Sequence, residues 1–108
     1  MDGKKIHMLV VDDEKIQRDG ILFLLKKSGL EFEISQCENG EEAYRLLKKG
    51  HVDILLTDIR MPFMDGLTLC KLVKKELPDI KIVILSGYDD FNYAKQAINI
   101  GVEDYLLK

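Results

Sequence analysis

The sequence predicts an open α/β fold: a three-layer arrangement with a five-stranded parallel sheet, in the order 2-1-3-4-5, between helices. Three observations carry that prediction. Short apolar runs alternate strictly with longer amphipathic segments along the 108 residues, the pattern of strand, crossover helix and next parallel strand. The runs expected to form strands one, three and four are apolar nearly throughout, so they need cover on both faces. A chain of this length, 46% hydrophobic and 32% charged, can bury one core and fits a single globular domain.

The elements follow in order. Ile6-His7-Met8-Leu9-Val10-Val11 is the first strand and ends at Asp12-Asp13. A helix is predicted from about Lys15 to Lys27, with Ile21, Leu24 and Leu25 on one face and Gly29 as its stop signal. Phe32–Cys37 alternates like a half-buried edge strand. Gly40–Lys49 reads as a helix with Ala43, Leu46 and Leu47 inward and Gly50 as its C-cap. Val52–Thr57 is a buried strand ending at Asp58. Asp65 caps a helix carrying Leu69, Leu72 and Val73, which must close before Pro78. Ile80–Leu85 is a β-branched strand ending at Ser86-Gly87. Phe91–Ile100 is helical, with Ala94, Ala97, Ile98 and Gly101 in one stripe, and Asp104–Leu107 is a short fifth strand before Lys108. Right-handed crossovers and five strands give the flavodoxin-like order.

Composition excludes several classes of function. With 16 Lys plus Arg against 19 Asp plus Glu, the net charge is -3, a poor basis for neutralising phosphates, so direct nucleic-acid binding is not expected. Cys37 and Cys70 have neither metal spacing nor a disulfide framework, which fits a reducing, cytoplasmic setting. The apolar runs are far shorter than the roughly 20 residues of a membrane span, and the amino terminus lacks a signal-peptide core.

Ligands of open parallel sheets bind at the carboxyl ends of the strands. Those ends carry Asp12 and Asp13, Asp58, Ser86 and Lys108. Three carboxylates and one ammonium sum to -2, so the site should attract a divalent cation. Oxygen-only donors make Mg²⁺ the expected ion. Each residue also has a plain structural reading: Asp13 as a helix cap, Asp58 and Ser86-Gly87 as turn residues, Lys108 as a solvated terminus. Their coincidence at four strand ends favours a functional pocket.

The segments Val10-Val11-Asp12-Asp13-Glu14, Asp58-Ile59-Arg60-Met61-Pro62-Phe63-Met64-Asp65-Gly66, Leu85-Ser86-Gly87 and Asp104-Tyr105-Leu106-Leu107-Lys108 resemble the receiver domain of two-component response regulators. Ser86-Gly87-Tyr88-Asp89-Asp90-Phe91, with Tyr93-Ala94, further resembles receivers attached to AraC-type DNA-binding regulators. The resemblance implies a phosphoacceptor protein, not an enzyme beyond its own phosphorylation and dephosphorylation. Asp58 would take a phosphoryl group from a sensor histidine kinase. Asp12, Asp13, Asp58 and the Arg60 carbonyl would hold Mg²⁺, Asp12 chiefly through a metal-bound water. Lys108 and Ser86 would contact the phosphoryl oxygens, and Tyr105 would turn inward as the switch. Arg60 and Tyr88 would flank the phosphoryl group and tune its hydrolysis, and Met61 and Met64 would pack the loop.

Receivers usually continue from this lysine through a proline into a fifth helix. Residues 1–108 are therefore expected to be the receiver part of a longer regulator, or to self-associate over an uncovered sheet face. A stand-alone receiver is a close alternative. A Mg²⁺ phosphohydrolase would want Asp-x-Asp where this chain has Asp12-Asp13-Glu14. A nucleotide or flavin domain would want a glycine-rich phosphate loop after the first strand, which is not there.

Overall fold

A computed structural model describes residues 5–87 and 91–107 of the chain. Five strands, β1 (Ile6–Val11), β2 (Phe32–Cys37), β3 (Ile54–Thr57), β4 (Lys81–Ser86) and β5 (Asp104–Leu107), form one parallel sheet in the order β2-β1-β3-β4-β5. Four helices connect them: α1 (Lys15–Lys27), α2 (Gly40–Lys48), α3 (Gly66–Glu76) and α4 (Phe91–Ile100). This is the predicted three-layer topology.

Period-two alternation divides the core between the two faces of the sheet. On one face Leu9, Val11, Leu55, Ile82 and Ile84 pack under α2, α3 and α4, which contribute Ala43, Leu47, Leu69, Cys70, Val73 and Ala97. On the other face Met8, Val10 and Leu56 pack with Ile21 and Leu25 of α1. That second face is thinly covered. Val83 and Leu85 are only partly buried there, and Leu106 is 45% exposed. α1 itself buries no residue completely.

Several sequence expectations are corrected in detail. Leu24 is 67% exposed, because the inward face of α1 is set by Ile21 and Leu25 and Leu24 falls beside it. Ile98 is 74% exposed for the same reason: the α4 stripe is Tyr93, Ala97 and Ile100, spaced i, i+4, i+7. Gly101 does not extend that stripe but ends the helix, with φ of +92°. The C-cap of α2 is Lys49, with Gly50 one residue beyond. β3 begins at Ile54, since the Asp53 carboxylate turns back to accept the His7 backbone N–H at 2.9 Å. β4 runs one residue later than expected and includes Ser86.

Candidate functional site

The carboxyl edge of the sheet carries the site. Asp12 follows β1 and Asp58 follows β3, and these strands pair directly, Val11 against Thr57. The Asp58 N–H donates to the Val11 carbonyl at 3.0 Å, so the sheet ladder itself brings the two strand ends together. Asp12 is 1% exposed and Asp58 6% exposed, while Asp13 faces solvent. One carboxylate oxygen from each of Asp12, Asp13 and Asp58 lies within 4.8 Å of the others. Among the described residues this is the cluster with a metal-ligating arrangement.

Backbone and side-chain donors fix the buried pair. Asp12 Oδ1 accepts the Glu14 N–H at 3.0 Å, and Asp58 Oδ1 accepts the Ile59 N–H at 2.7 Å. Arg18 on α1 donates to the Asp12 carbonyl oxygen at 2.6 Å and to Gln36 Oε1 at 3.1 Å, tying the strand end to α1 and β2. Asp13 is not a helix cap: the N-cap of α1 is Glu14, whose side chain makes no capping bond. Burial raises the Asp13 carboxyl above its ordinary range; its own backbone amide opposes this, and the charges of Asp12 and Asp58 raise it further. Three acidic groups are thus held together at a cost that a cation would remove.

The loop after Asp58 is fixed from both ends. Gly66 opens α3 beneath the site, donating its N–H to the Ile59 carbonyl at 2.7 Å. A Cβ at this position would sit 1.9 Å from the Asp58 carbonyl oxygen, so no side chain fits. Asp65 caps α3 as expected, accepting the Thr68 N–H at 2.8 Å. Met61 is buried in the core and Met64 packs against it. Arg60 reaches across to α4. Its Nε donates to Tyr93 Oη of α4 at 3.2 Å, and its guanidinium lies 6.0 Å from that ring's centroid.

Ser86 is completely buried at the end of β4, beside the β3 end that carries Asp58. Tyr105 on β5 is half-buried against the main core, opposite Ile84 of β4. Lys108 and Tyr88, singled out from sequence, lie outside the described residues.

Sequence reasoning found the acidic cluster but missed its supports. The Arg18 tether had no signal, since a lone arginine on an amphipathic helix is ordinarily solvated. The close approach at Gly66 and the Arg60–Tyr93 contact exist only once the chain is folded. Asn39 as the α2 cap, accepting the Glu42 N–H at 2.8 Å, was legible from residue type and spacing but passed over.

Comparison with known proteins agrees with this geometry. The family described as response regulator receiver domain matches residues 8–108. The chain is 40% identical over 102 residues to the uncharacterized transcriptional regulatory protein YesN of Bacillus subtilis, covering 94% of this chain and 28% of that protein. It is 34% identical to the transcriptional regulatory protein DegU of Brevibacillus brevis, covering 100% of this chain and 46% of that one. The chain therefore spans less than half the length of these curated relatives. Among solved structures, the REC domain of AraT, a response regulator from Geobacillus stearothermophilus, is 41% identical with a TM-score of 0.83, covering 97% of this chain and 82% of that one. The response regulator TrrA from Thermotoga maritima, solved in complex with Mg²⁺ and BeF, is 32% identical with a TM-score of 0.84, covering 95% and 86%.

Proposed function

The chain belongs to the response regulator receiver domain family, and from that premise we propose that Asp58 is its phosphoacceptor, charged by the phosphohistidine of a sensor kinase. The observation that carries this reading is the convergence of Asp12, Asp13 and Asp58 within 4.8 Å at two adjacent strand ends. An Asp58 carboxylate oxygen attacks phosphorus, an O–P bond forms as the N–P bond breaks, and the electron pair returns to the imidazole nitrogen.

The donor set fits Mg²⁺: oxygen ligands only, crowded acidic charge, and one carboxylate accessible to solvent. Asp12, Asp13, Asp58 and the Arg60 carbonyl would hold it, and bound there it would neutralise the charge of the incoming phosphoryl group. The buried Asp12 and Asp58 are held by backbone N–H groups, so the nucleophile is already oriented. Phosphorylation replaces a charge of -1 by about -2. Ser86, buried beside the site, would donate its hydroxyl to a phosphoryl oxygen, and Lys108 would pair with another. The space vacated by Ser86 would let Tyr105 move further in, turning a local charge change into a rearranged β4–β5 surface.

This segment is read as the receiver of a longer, cytoplasmic regulator whose output is a DNA-binding domain, as the transcriptional relatives suggest. The AraC-type assignment of that output rests on the Ser86–Ala94 resemblance. The thin cover over Val83, Leu85 and Leu106 supports self-association through that face. Among the described residues no helix is long and apolar enough to cross a membrane.

Intact-mass spectrometry after incubation with acetyl phosphate tests the reading. One added phosphoryl with Mg²⁺, and none with EDTA or in Asp58→Asn, is expected. An adduct that persists in Asp58→Asn would refute it.

A further inference from the structure

The amino-terminal end of the sheet, opposite the carboxylates, holds a second group of chemically capable side chains. β1 and β2 pair with His7 beside Glu33 and Leu9 beside Ser35, so His7, Leu9 and Ser35 share one face. The His7 ring crosses to the next strand, its Nε2 lying 2.8 Å from Ser35 Oγ. Its Nδ1 lies 2.6 Å from the carbonyl oxygen of His51. A carbonyl only accepts, so Nδ1 carries the proton, and Nε2 of the neutral ring accepts the Ser35 hydroxyl proton.

His7 is held in that role by its backbone as well. Its N–H donates to the Asp53 carboxylate at 2.9 Å, and its carbonyl accepts the Asp53 N–H at 2.8 Å. The loop that presents the His51 carbonyl runs through two left-handed residues, Gly50 with φ of +89° and His51 with φ of +73°. Residues other than glycine adopt that conformation uncommonly, and such backbone gathers at functional positions. Ser35 and His7 line a cleft of about 520 Å³, within the roughly 300–1,000 Å³ range of small-molecule sites. Leu9, Leu46 and Val52 give the cleft an apolar wall. Lys5 and Lys49 balance Glu33 and Asp53 around it, so the charges favour a neutral ligand.

A hydroxyl, a base and an acceptor that orients the base form the arrangement that activates a serine. We propose that Ser35 is a covalent acyl acceptor for small neutral carboxylic esters with an activated leaving group. His7 is its general base, and the His51 carbonyl positions His7. The Ser35 oxygen forms a bond to the acyl carbon while His7 Nε2 takes the hydroxyl proton. The bond to the leaving oxygen then breaks, its electron pair departs with that oxygen, and His7 returns the proton to it. The products are an acylated Ser35 and a free alcohol. A clamp between β1 and β2 would use the same hydrogen bonds; the cleft is what gives a substrate access to them. Nothing in this rests on Asp58, because His7 and Asp53 stand by the starts of β1 and β3, whose far ends carry Asp12 and Asp58.

The probe is p-nitrophenyl acetate, read by intact-mass and peptide mass spectrometry. Wild type is expected to gain one acetyl ester at Ser35, removed by neutral hydroxylamine, which leaves lysine amides intact. Ser35→Ala should lose the ester. His7→Gln keeps a hydrogen-bonding side chain but no base, and should form it at least tenfold more slowly. The wild-type rate should rise over about pH 5 to 8, where imidazoles lose their proton. His51→Gly keeps the carbonyl and suits its φ, so it should retain that profile and assign it to His7. Asp58→Asn should acylate like wild type. Acetyl groups on lysine amides only, an ester formed equally fast in His7→Gln, a wild-type rate without that rise, a profile lost in His51→Gly or an ester lost in Asp58→Asn would each overturn the proposal.

Discussion

Removing one carboxylate from the cluster should stabilise the protein in the absence of metal. Asp13→Asn is the suitable change, because it keeps the shape of the side chain, and Asp13 caps no helix: Glu14 is the N-cap of α1. Asp13 lies within 4.8 Å of two other carboxylates. At that separation each like-charge pair costs about 0.9 kcal/mol at the dielectric of water. The two pairs together cost about 2 kcal/mol, cut to about 1 by salt and by the exposure of Asp13. In EDTA at pH 7 the variant should therefore unfold in urea with a gain of about 1 kcal/mol and a melting midpoint several degrees higher.

The sign with pH follows from the raised Asp13 carboxyl. A group that binds its proton more tightly when folded favours the fold at low pH and loses that contribution as pH rises through its shifted range. The advantage of Asp13→Asn should be absent near pH 3 and open as pH climbs past the ordinary carboxylate range near 4. Mg²⁺ should reverse the ranking. At 100 times its dissociation constant it would stabilise wild type by about 2.7 kcal/mol and the variant far less. A variant destabilised in EDTA, or one still stabilised like wild type by Mg²⁺, would refute the charge-crowding account.

Gly66→Ala should cost about 2–3 kcal/mol and impair Mg²⁺ binding as well, because its Cβ would meet the Asp58 carbonyl oxygen at 1.9 Å; urea titration with and without Mg²⁺ reads both. Burial pushes the Cys37 and Cys70 thiols up to about 12. Both should resist a thiol reagent at pH 8 by about 10³-fold relative to the unfolded chain, and stability should decline as pH rises above about 8.5, where the unfolded thiols ionise. Leu106→Glu, on the thinly covered sheet face, should abolish self-association measured by light scattering; a wild-type chain that is monomeric at all concentrations would contradict that reading of the face.

What was legible in the sequence follows a physical division. Asp12, Asp13 and Asp58 could be found because strand ends are marked by apolar runs that stop abruptly, and topology alone then brings those ends together. Strand order followed from the same runs. Helix phase was less secure: Leu24 and Ile98 each sit one position off a true stripe, and apolar residue type cannot distinguish an inward position from its neighbour. The positive φ of +71° at Phe63 was invisible because nothing in a Pro-Phe-Met sequence asks for it. It arises from anchoring Pro62 and Met64 on either side. Arg18 and Arg60, whose partners lie at the end of β1, on β2 and on α4, depend on tertiary placement that no local pattern encodes.

The central claim is that Asp58, and no other carboxylate in this acidic cluster, receives the phosphoryl group. Borohydride reduction of the acetyl phosphate-treated protein converts an aspartyl phosphate to homoserine, and peptide sequencing by mass spectrometry locates it. Homoserine at position 58 alone, formed only when Mg²⁺ is present, is the predicted result. Homoserine at position 12 or 13, or none at 58 in a folded protein that binds Mg²⁺, would contradict the account.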